Sequence, residues 1–316
     1  MNIVFFGTSS FAARILARLI EKKYCISAIV TRADKPRGRQ LQVCPPPVKE
    51  IALQICPEVP LFQPEKASAP EFAEVIKAFE PDLFIVVAYG EIIKQNLLSM
   101  PKLGCVNIHA SLLPKYRGAA PIQRAIMAGE PQTGITIIEM APQMDAGDII
   151  AIEALEIPLE MTFGELEPKL CELGAKLILQ VISEFERDSV VRTPQEHSLA
   201  TLAAKLQPEE EKIDWSLPSE VIHNKIRAFS PTPGAWCSIQ MGDEVKRIKI
   251  KKSLSVAHAT NTTHPPGSIV EMGKGGWIVA CGSGFLRLIE VQLEGKKTLP
   301  ADDFIKGVRQ PISFKI

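Results

Sequence analysis

The 316-residue sequence has no paired cysteine motif, no long apolar run and no net charge. Its seven cysteines are scattered and never form a C-x-x-C pair, which argues against a disulfide framework and against a zinc site. No run approaches the roughly 18 apolar residues that a membrane-spanning helix needs. The amino terminus lacks a basic leader and a transit-peptide composition. We therefore predict a cytoplasmic protein that binds no metal and has no membrane partner.

The overall composition excludes few partners. Lys plus Arg and Asp plus Glu each total 36, so net charge alone argues neither for nor against a nucleic-acid partner. The FGTSS segment at 6–10 lacks the further glycines of a dinucleotide-binding fingerprint, which argues against NAD. A chain of this length exceeds what one hydrophobic core usually serves, so two domains of unequal size are predicted.

The first half of the sequence alternates short apolar runs with helical patterns. Strands separated by helices favour a doubly wound, mostly parallel α/β sheet, because parallel neighbours need a crossover connection. In such sheets ligands lie beyond the carboxyl ends of the strands. The predicted strands are 2–6, 26–31, 83–88, 105–109 and 135–140, and the predicted helices are 10–22, 73–80, 122–128 and 162–187.

The second half has a different pattern. Short β runs separated by Gly, Asp and Pro signals are typical of a small OB-like β-barrel. The glycine clusters at 273–276 and 282–284 lack a following helix, so hairpin turns explain them better than phosphate-binding loops. We predict a first domain at 1–188, a linker at 189–207 and a second domain at 208–316. The predicted barrel strands are 235–241, 246–255, 267–272, 276–280 and 285–292.

Three polar residues suggest chemistry. Asn107 and His109 end a predicted strand at i, i+2 spacing, so both side chains point the same way, and Asp145 follows downstream. An amide and an imidazole can stabilise an oxyanion, while a carboxylate can orient or charge the imidazole and accept a proton through water. Together they suit acyl transfer to an amine without a covalent enzyme intermediate. Alternatively, His109 is a structural histidine that is held by hydrogen bonds and takes no part in catalysis.

A longer segment carries a family resemblance. Residues 104–123 read GCVNIHASLLPKYRGAAPIQ, which closely resembles the signature of the 10-formyltetrahydrofolate-dependent formyltransferases. The resemblance extends over nearly the whole chain. It includes FGT at 6–8, VVAYG at 86–90, MDAGD at 144–148, IDW at 213–215 and IRAF at 226–229.

The resemblance implies the reaction and the site. The RGAAPIQ variant implies direct formyl transfer from N10 of 10-formyltetrahydrofolate to the α-amine of initiator methionyl-tRNA. It also implies a monomer whose second domain binds tRNA. Residue matching gives the catalytic roles to Asn107, His109 and Asp145. The implied folate-binding residues are Ser111, Leu112, Leu113, Pro114, Val86, Ala88, Tyr89 and Gly90.

Apolar, conformationally restricted residues suit a flat pterin, while Ser111 and the backbone supply polar contacts. For the Leu112–Pro114 triplet, however, core packing is the alternative.

Basic residues are the candidates for tRNA binding. The resemblance makes the long loop from Arg32 an insertion that reaches the tRNA acceptor arm, although Gln40-Leu41-Gln42 replace the common Gly-Lys-Lys. Lys205 lies in the predicted linker, and just after it Pro208 replaces a second lysine that is frequent in the family. The basic loop from Arg32 could instead be a solvated surface loop. The lysines of the predicted strand 246–255 could instead protect an edge strand against aggregation. The predicted tRNA-binding residues are Lys35, Arg37, Arg39, Lys205, Lys249 and Lys251.

Two other functions remain open. The same folate chemistry could serve a small amine, such as glycinamide ribonucleotide or a nucleotide sugar, or water. The basic β domain would then have no obvious purpose. Alternatively, the protein could bind RNA without catalysis, but the intact Asn107, His109 and Asp145 disfavour that reading.

Overall fold

The computed structural model describes residues 1–37, 42–256, 264–308 and 310–315. The chain forms two compact units. The first unit contains Met1–Ala119, Thr133–Leu155 and Glu167–Ala203. The second unit contains Ala120–Gln132, Glu156–Leu166 and Ala204–Ile316. The domain limits expected from sequence, 1–188 and 208–316, remain predictions.

The first 186 residues contain both strands and helices. The strands are β1 (Ile3–Gly7), β2 (Ile26–Val30), β3 (Lys35–Arg37), β4 (Gln42–Cys44), β5 (Leu61–Phe62), β6 (Leu83–Val87), β7 (Cys105–His109), β8 (Arg117–Gly118), β9 (Gln132–Glu139) and β10 (Ile149–Glu156). The helices are α1 (Ser10–Glu21), α2 (Pro47–Ile55), α3 (Pro70–Lys77), α4 (Gln95–Leu98), α5 (Pro121–Met127) and α6 (Phe163–Glu186).

The main sheet has the order β10-β9-β7-β6-β1-β2-β5. The five neighbouring strands β7, β6, β1, β2 and β5 pair in parallel, whereas β9 pairs with β7 in antiparallel fashion. The predicted mostly parallel α/β sheet is therefore confirmed. The direction of β9 was not predictable from its apolar run, because side-chain alternation is the same in both directions.

Burial explains why the central strands read as continuous apolar runs. Every residue of β1 and β6 is buried, as expected for parallel strands covered on both faces. Helix α1 begins after Ser9, whose side chain accepts a hydrogen bond from the backbone N–H of Ala12 at 3.3 Å. The polar residues at 107 and 109 thus lie towards the carboxyl edge of a buried sheet.

The predicted long loop after Arg32 contains a short hairpin. Strands β3 and β4 pair antiparallel, with Lys35 opposite Cys44 and Arg37 opposite Gln42. Arg39, Gln40 and Leu41 lie outside the described residues.

The rest of the chain is dominated by β structure. Its strands are β11 (Leu202–Ala203), β12 (Trp236–Met241), β13 (Glu244–Ser255), β14 (Ile269–Gly273), β15 (Gly276–Ala280), β16 (Phe285–Leu293), β17 (Leu299–Pro300) and β18 (Ile312–Lys315). The helices are α7 (Ser219–Phe229) and α8 (Ala301–Lys306), with short 3₁₀ helices at His197–Leu199 and Pro208–Glu211.

The second unit contains a curled antiparallel half-barrel with the order β14-β15-β16-β13-β12-β18, and β17 pairs with β16. Its core includes Trp215 stacked on Phe314 at 5.1 Å and Trp277 against Phe304 at 5.5 Å between ring centroids. The OB-like prediction is confirmed, and the two glycine clusters are hairpin turns between β14 and β15 and between β15 and β16. Within the described part of the chain, no helix has the length and apolarity needed to cross a membrane.

Candidate active site

The predicted catalytic residues come from β7 and from the connection between β9 and β10. In β7, Asn107 pairs with Val86 of β6 on one side and with Ile138 of β9 on the other. His109 ends the same strand opposite Thr136. The i, i+2 spacing therefore places the amide and the imidazole at the carboxyl end of a central strand, as the sequence predicted.

Asp145 lies against both residues. Its Oδ1 accepts a hydrogen bond from Nδ2 of Asn107 at 3.3 Å. Its Oδ2 accepts one from the backbone N–H of Gly118 at 2.8 Å and lies 3.6 Å from Nδ1 of His109. The carboxylate thus has defined partners on both oxygens, so its orientation is fixed before any substrate binds.

His109 is buried and has a neighbour on each ring nitrogen. Its Nε2 lies 2.8 Å from the carbonyl oxygen of Tyr116. Because a carbonyl can only accept, Nε2 carries a hydrogen in this arrangement and Nδ1 is the nitrogen that faces Asp145. For Nε2 to donate to a substrate oxygen, it must first give up its hydrogen bond to the Tyr116 carbonyl.

The backbone around Asp145 is unusual. Asp145 has φ +52°, a left-handed conformation that costs a non-glycine residue about 1–2 kcal/mol. Close by, a Cβ added to Gly147 would lie 1.8 Å from the carbonyl oxygen of Glu139, so only glycine fits there. The tight turn at 144–148 therefore presents the Asp145 carboxylate to β7.

Two residues that hold this turn, Gln195 and Arg117, were not predicted from the sequence. Gln195 donates from Nε2 to the carbonyl oxygens of Asp145 and Gly147, at 2.8 and 2.7 Å. Arg117 donates to Oε1 of Gln195 from NH2 at 2.6 Å and from Nε at 3.2 Å. Gln195 lies in a polar stretch predicted as linker, where neither periodicity nor a motif gives any signal of burial.

The residues predicted to bind folate after β7 form a tight turn. Ser111 and Leu113 are buried, and the Ser111 hydroxyl donates to the carbonyl of Lys115 at 2.7 Å. The Leu113 N–H donates to Oγ1 of Thr136 at 3.1 Å, and the Leu113–Pro114 bond is cis. Leu112 and Pro114 are half-buried, so these two have the more accessible side chains of the turn.

The second predicted folate segment follows β6. Val86 and Tyr89 are buried, whereas Ala88 and Gly90 are exposed in left-handed conformations, with φ +43° and +84°. Thr8 donates from Oγ1 to the Tyr89 carbonyl at 2.7 Å, which ties this turn to the end of β1. Burial, with a smaller contribution from the charge of Glu91, raises the pKa of the Tyr89 phenol well above its ordinary value.

Cys105 stands at the start of β7 and is buried. Burial raises the pKa of its thiol far above the ordinary range, so the thiol stays protonated and serves packing. Among the described residues, no group of three or more His, Cys, Asp and Glu side chains is arranged to hold a metal ion.

The predicted tRNA-binding residues are distributed over both units. In the first unit, Lys35 is exposed in the β3–β4 hairpin, Arg37 ends β3, and Arg39 lies outside the described residues. In the second unit, Lys205 is exposed. Their roles stay predictions.

Lys249 and Lys251 project from β13 in the second unit. Lys249 donates from Nζ to the Pro233 carbonyl at 2.7 Å, and Lys251 donates to the Pro231 carbonyl at 2.6 Å. Burial, followed by the charge of Lys249, lowers the pKa of the Lys251 ammonium. The two ammonium groups are thus already hydrogen-bonded to the same turn.

Comparison with protein-family models covers both parts of the chain. Residues 1–182 match the formyl transferase model, and residues 205–309 match the model of the formyl transferase C-terminal domain. The second match covers the half-barrel strands β12 to β17 and the segment that leads into them.

Close relatives span almost the full length. The chain is 46% identical over 308 residues to methionyl-tRNA formyltransferase from Protochlamydia amoebophila, covering 98% of this chain and 95% of the relative. It is 42% identical over 309 residues to the Moorella thermoacetica protein of the same name, covering 97% and 96%.

Solved structures share the fold. Methionyl-tRNA formyltransferase from Clostridium thermocellum matches with a TM-score of 0.54 at 19% identity, covering 93% of this chain and 98% of that chain. The sugar 3N-formyl transferase WlaRD, solved with dTDP and 5-N-formyl-THF, matches with a TM-score of 0.66 at 19% identity, covering 94% and 99%. At this level of identity the likeness concerns the fold alone.

Proposed function

The chain belongs to the methionyl-tRNA formyltransferase family, and from this premise we propose that it transfers a formyl group from 10-formyltetrahydrofolate to the α-amine of initiator methionyl-tRNA. The geometric observation that carries the proposal is the Asp145 carboxylate. One of its oxygens bonds the Asn107 amide, and the other faces the His109 imidazole.

The proposed step is a direct acyl transfer. The amine nitrogen attacks the formyl carbon, and the carbonyl oxygen becomes an oxyanion in a tetrahedral intermediate. The new C–N bond to methionine forms, and the bond between the formyl carbon and N10 breaks. The amine loses one proton and N10 of the folate gains one, so the site must stabilise negative oxygen and move a proton.

Asn107 and His109 supply the donors in this scheme. The Nδ2 nitrogen of Asn107 carries two hydrogens, of which the bond to Asp145 needs only one, so the other can donate to the oxyanion. His109 donates from Nε2 after that nitrogen leaves the Tyr116 carbonyl. Donors of this kind are typically each worth about 100- to 1000-fold in rate.

Asp145 serves as the proton acceptor in the proposal. Its carboxylate is half-buried and is fixed by the Gly118 N–H and the Asn107 amide, so it is oriented without the entropy cost of ordering a free side chain. It faces Nδ1 of His109 and thereby also stabilises a positive charge on that ring. The amine proton then leaves through water to this carboxylate.

We place the folate donor against the two turns that follow β6 and β7. Val86 is the direct neighbour of Asn107 in the sheet, so the turn that follows Val86 lies beside the catalytic strand. Ala88 and Gly90 are exposed, and no atom lies within 4 Å of the position that a Gly90 Cβ would take. A flat ring can approach the backbone there and meet the Pro114 side chain on the neighbouring turn.

The acceptor is assigned from the relatives and from charge. Two full-length relatives bear the name of a methionyl-tRNA enzyme, Lys35 of β3 is exposed, and β13 is rich in basic residues. We place Lys35, Arg37, Arg39, Lys205, Lys249 and Lys251 on the tRNA. A small amine would give the exposed side chains of Lys35 and Lys205 no ligand to bind.

One assay tests the proposal. Purified protein with 10-formyltetrahydrofolate is expected to formylate initiator methionyl-tRNA and to leave methionine and small sugar amines largely unmodified. His109→Ala should lose most of the turnover while retaining tRNA binding. Formylation of small amines at a comparable kcat/KM would overturn the acceptor, and full turnover by His109→Ala would overturn the role of the imidazole.

A further inference from the structure

We propose that Gln195 is a positioning residue that sets the orientation of Asp145, an inference that rests on the proposed function. Gln195 follows α6 by nine positions and lies in the polar segment that the sequence predicts to be a linker. Instead its side chain is 6% exposed and is directed at the turn that presents Asp145. A buried amide of this kind needs a partner for each polar atom.

Both amide hydrogens of Gln195 are used on one turn. Nε2 donates to the Asp145 carbonyl at 2.8 Å and to the Gly147 carbonyl at 2.7 Å. These two bonds span the middle of the 144–148 turn, including the residue with φ +52°. They therefore stabilise a backbone conformation that Asp145 would otherwise disfavour.

Arg117 determines which way the Gln195 amide points. Its guanidinium can only donate, and it bonds Oε1 of Gln195 from both Nε and NH2. A flipped amide would set its NH₂ group against the guanidinium and its oxygen against two carbonyls. Only one orientation of the Gln195 amide therefore satisfies all of these hydrogen bonds, and in it the NH₂ group faces the backbone of Asp145.

The same segment also fixes the other end of Asp145. The Thr201 hydroxyl accepts a hydrogen bond from the Tyr116 N–H at 2.9 Å, and the Thr201 carbonyl accepts one from the Arg117 N–H at 2.8 Å. Gly118, which follows Arg117, donates its N–H to Oδ2 of Asp145. Residues 195–203 therefore hold the backbone of Asp145 through Gln195 and its carboxylate through Gly118.

The substitutions Gln195→Glu and Gln195→Met test whether Gln195 positions Asp145 or only stabilises the fold. Both variants keep the length of the side chain but remove the two N–H donors, and glutamate retains the pairing with Arg117. We expect kcat for methionyl-tRNA formylation to fall about 10- to 100-fold, with the KM for 10-formyltetrahydrofolate unchanged, because small displacements of a reacting group carry costs of this size. Gln54→Glu, on the exposed face of α2, is the matched control and should retain full kcat.

A double-variant cycle shows whether Gln195 acts through Asp145. If it does, Gln195→Glu should reduce kcat strongly in the wild-type background and little in the Asp145→Asn background. Whichever of the two Gln195 variants keeps the wild-type unfolding midpoint is used. Arg117→Lys, which keeps the charge but loses the fork, should give a smaller loss with the same non-additivity.

The outcomes distinguish the two proposals. If Asp145→Asn lowers kcat but folded Gln195 variants and Arg117→Lys do not, the positioning role is wrong and the proposed function stands. If the losses in the double variant simply multiply, Gln195 acts by another route and the inference is again overturned. If Asp145→Asn itself keeps full turnover, the assignment of the catalytic carboxylate is wrong.

Discussion

Nδ2 of Asn107 lies 3.3 Å from Oδ1 of Asp145, although 38 positions separate the two residues in the sequence. The contact joins the end of β7 to the turn between β9 and β10. It gives the amide a fixed direction and leaves the carboxylate facing His109 through its second oxygen. Much of the chemistry of the site depends on this pair.

Asp145→Asn should lower kcat about 100- to 1000-fold, because the amide keeps the shape of the carboxylate but cannot accept a proton or stabilise a charged imidazole. Initial rates with saturating tRNA and folate donor measure the effect. Asp188→Asn is the matched control, since Asp188 has the same φ of +52° and is exposed. Equal losses in the two variants would count against a catalytic carboxylate.

Gly147→Ala should destabilise the first unit by about 3 kcal/mol and also reduce turnover, because the new Cβ would lie 1.8 Å from a backbone oxygen of Glu139. Gly90→Ala isolates the effect of conformation, since its φ is +84° but no atom lies within 4 Å. That change should cost about 1 kcal/mol. Thermal unfolding measures both, and equal shifts would argue that the close approach at Gly147 does not constrain the turn.

Glu210→Gln should make the stability of the second unit less sensitive to acid. Hydrogen bonds from Arg124, whose NH1 lies 2.5 Å from Oε1 of Glu210, lower the pKa of the Glu210 carboxyl below its ordinary value of 4.5. A lowered pKa contributes stability that is present above pH 4.5 and is lost as pH falls through the folded value.

The substitution should therefore lower the free energy of unfolding at pH 7 by on the order of 1 kcal/mol, and the difference from the wild type should shrink as pH falls below 4.5. Glu209→Gln, at the neighbouring exposed position, is the control. A pH-independent difference between Glu210→Gln and the wild type would rule out the ion pair as its cause.

Arg39→Glu should raise the KM for methionyl-tRNA while leaving kcat nearly unchanged, because the resemblance places Arg39 on the acceptor arm. The dependence of KM on salt should also become shallower, by roughly one unit of log KM per log salt for one lost phosphate contact. Arg14→Glu, an equal charge reversal on the exposed face of α1, is the control. An unchanged KM with a normal salt slope would remove the β3–β4 insertion from tRNA recognition.

Local sequence was sufficient for much of the fold. Continuous apolar runs predicted the buried parallel strands β1 and β6, and short β runs separated by Gly, Asp and Pro signals predicted the half-barrel strands β12 to β16. The direction of β9 and the pairing of β3 with β4 were not predictable, since both depend on which distant segments meet.

The sequence by itself determined the residue types of the site and their order: an amide and an imidazole two positions apart on one strand, and an aspartate in a glycine-containing turn. These follow from strand periodicity and from a recognisable segment. Only the tertiary structure decided that Asp145 contacts Asn107, that His109 bonds Tyr116, and that Gln195 holds the turn. The reason is physical: a hydrogen bond requires atoms within about 3 Å, and chain order does not encode which remote donors and acceptors reach that distance.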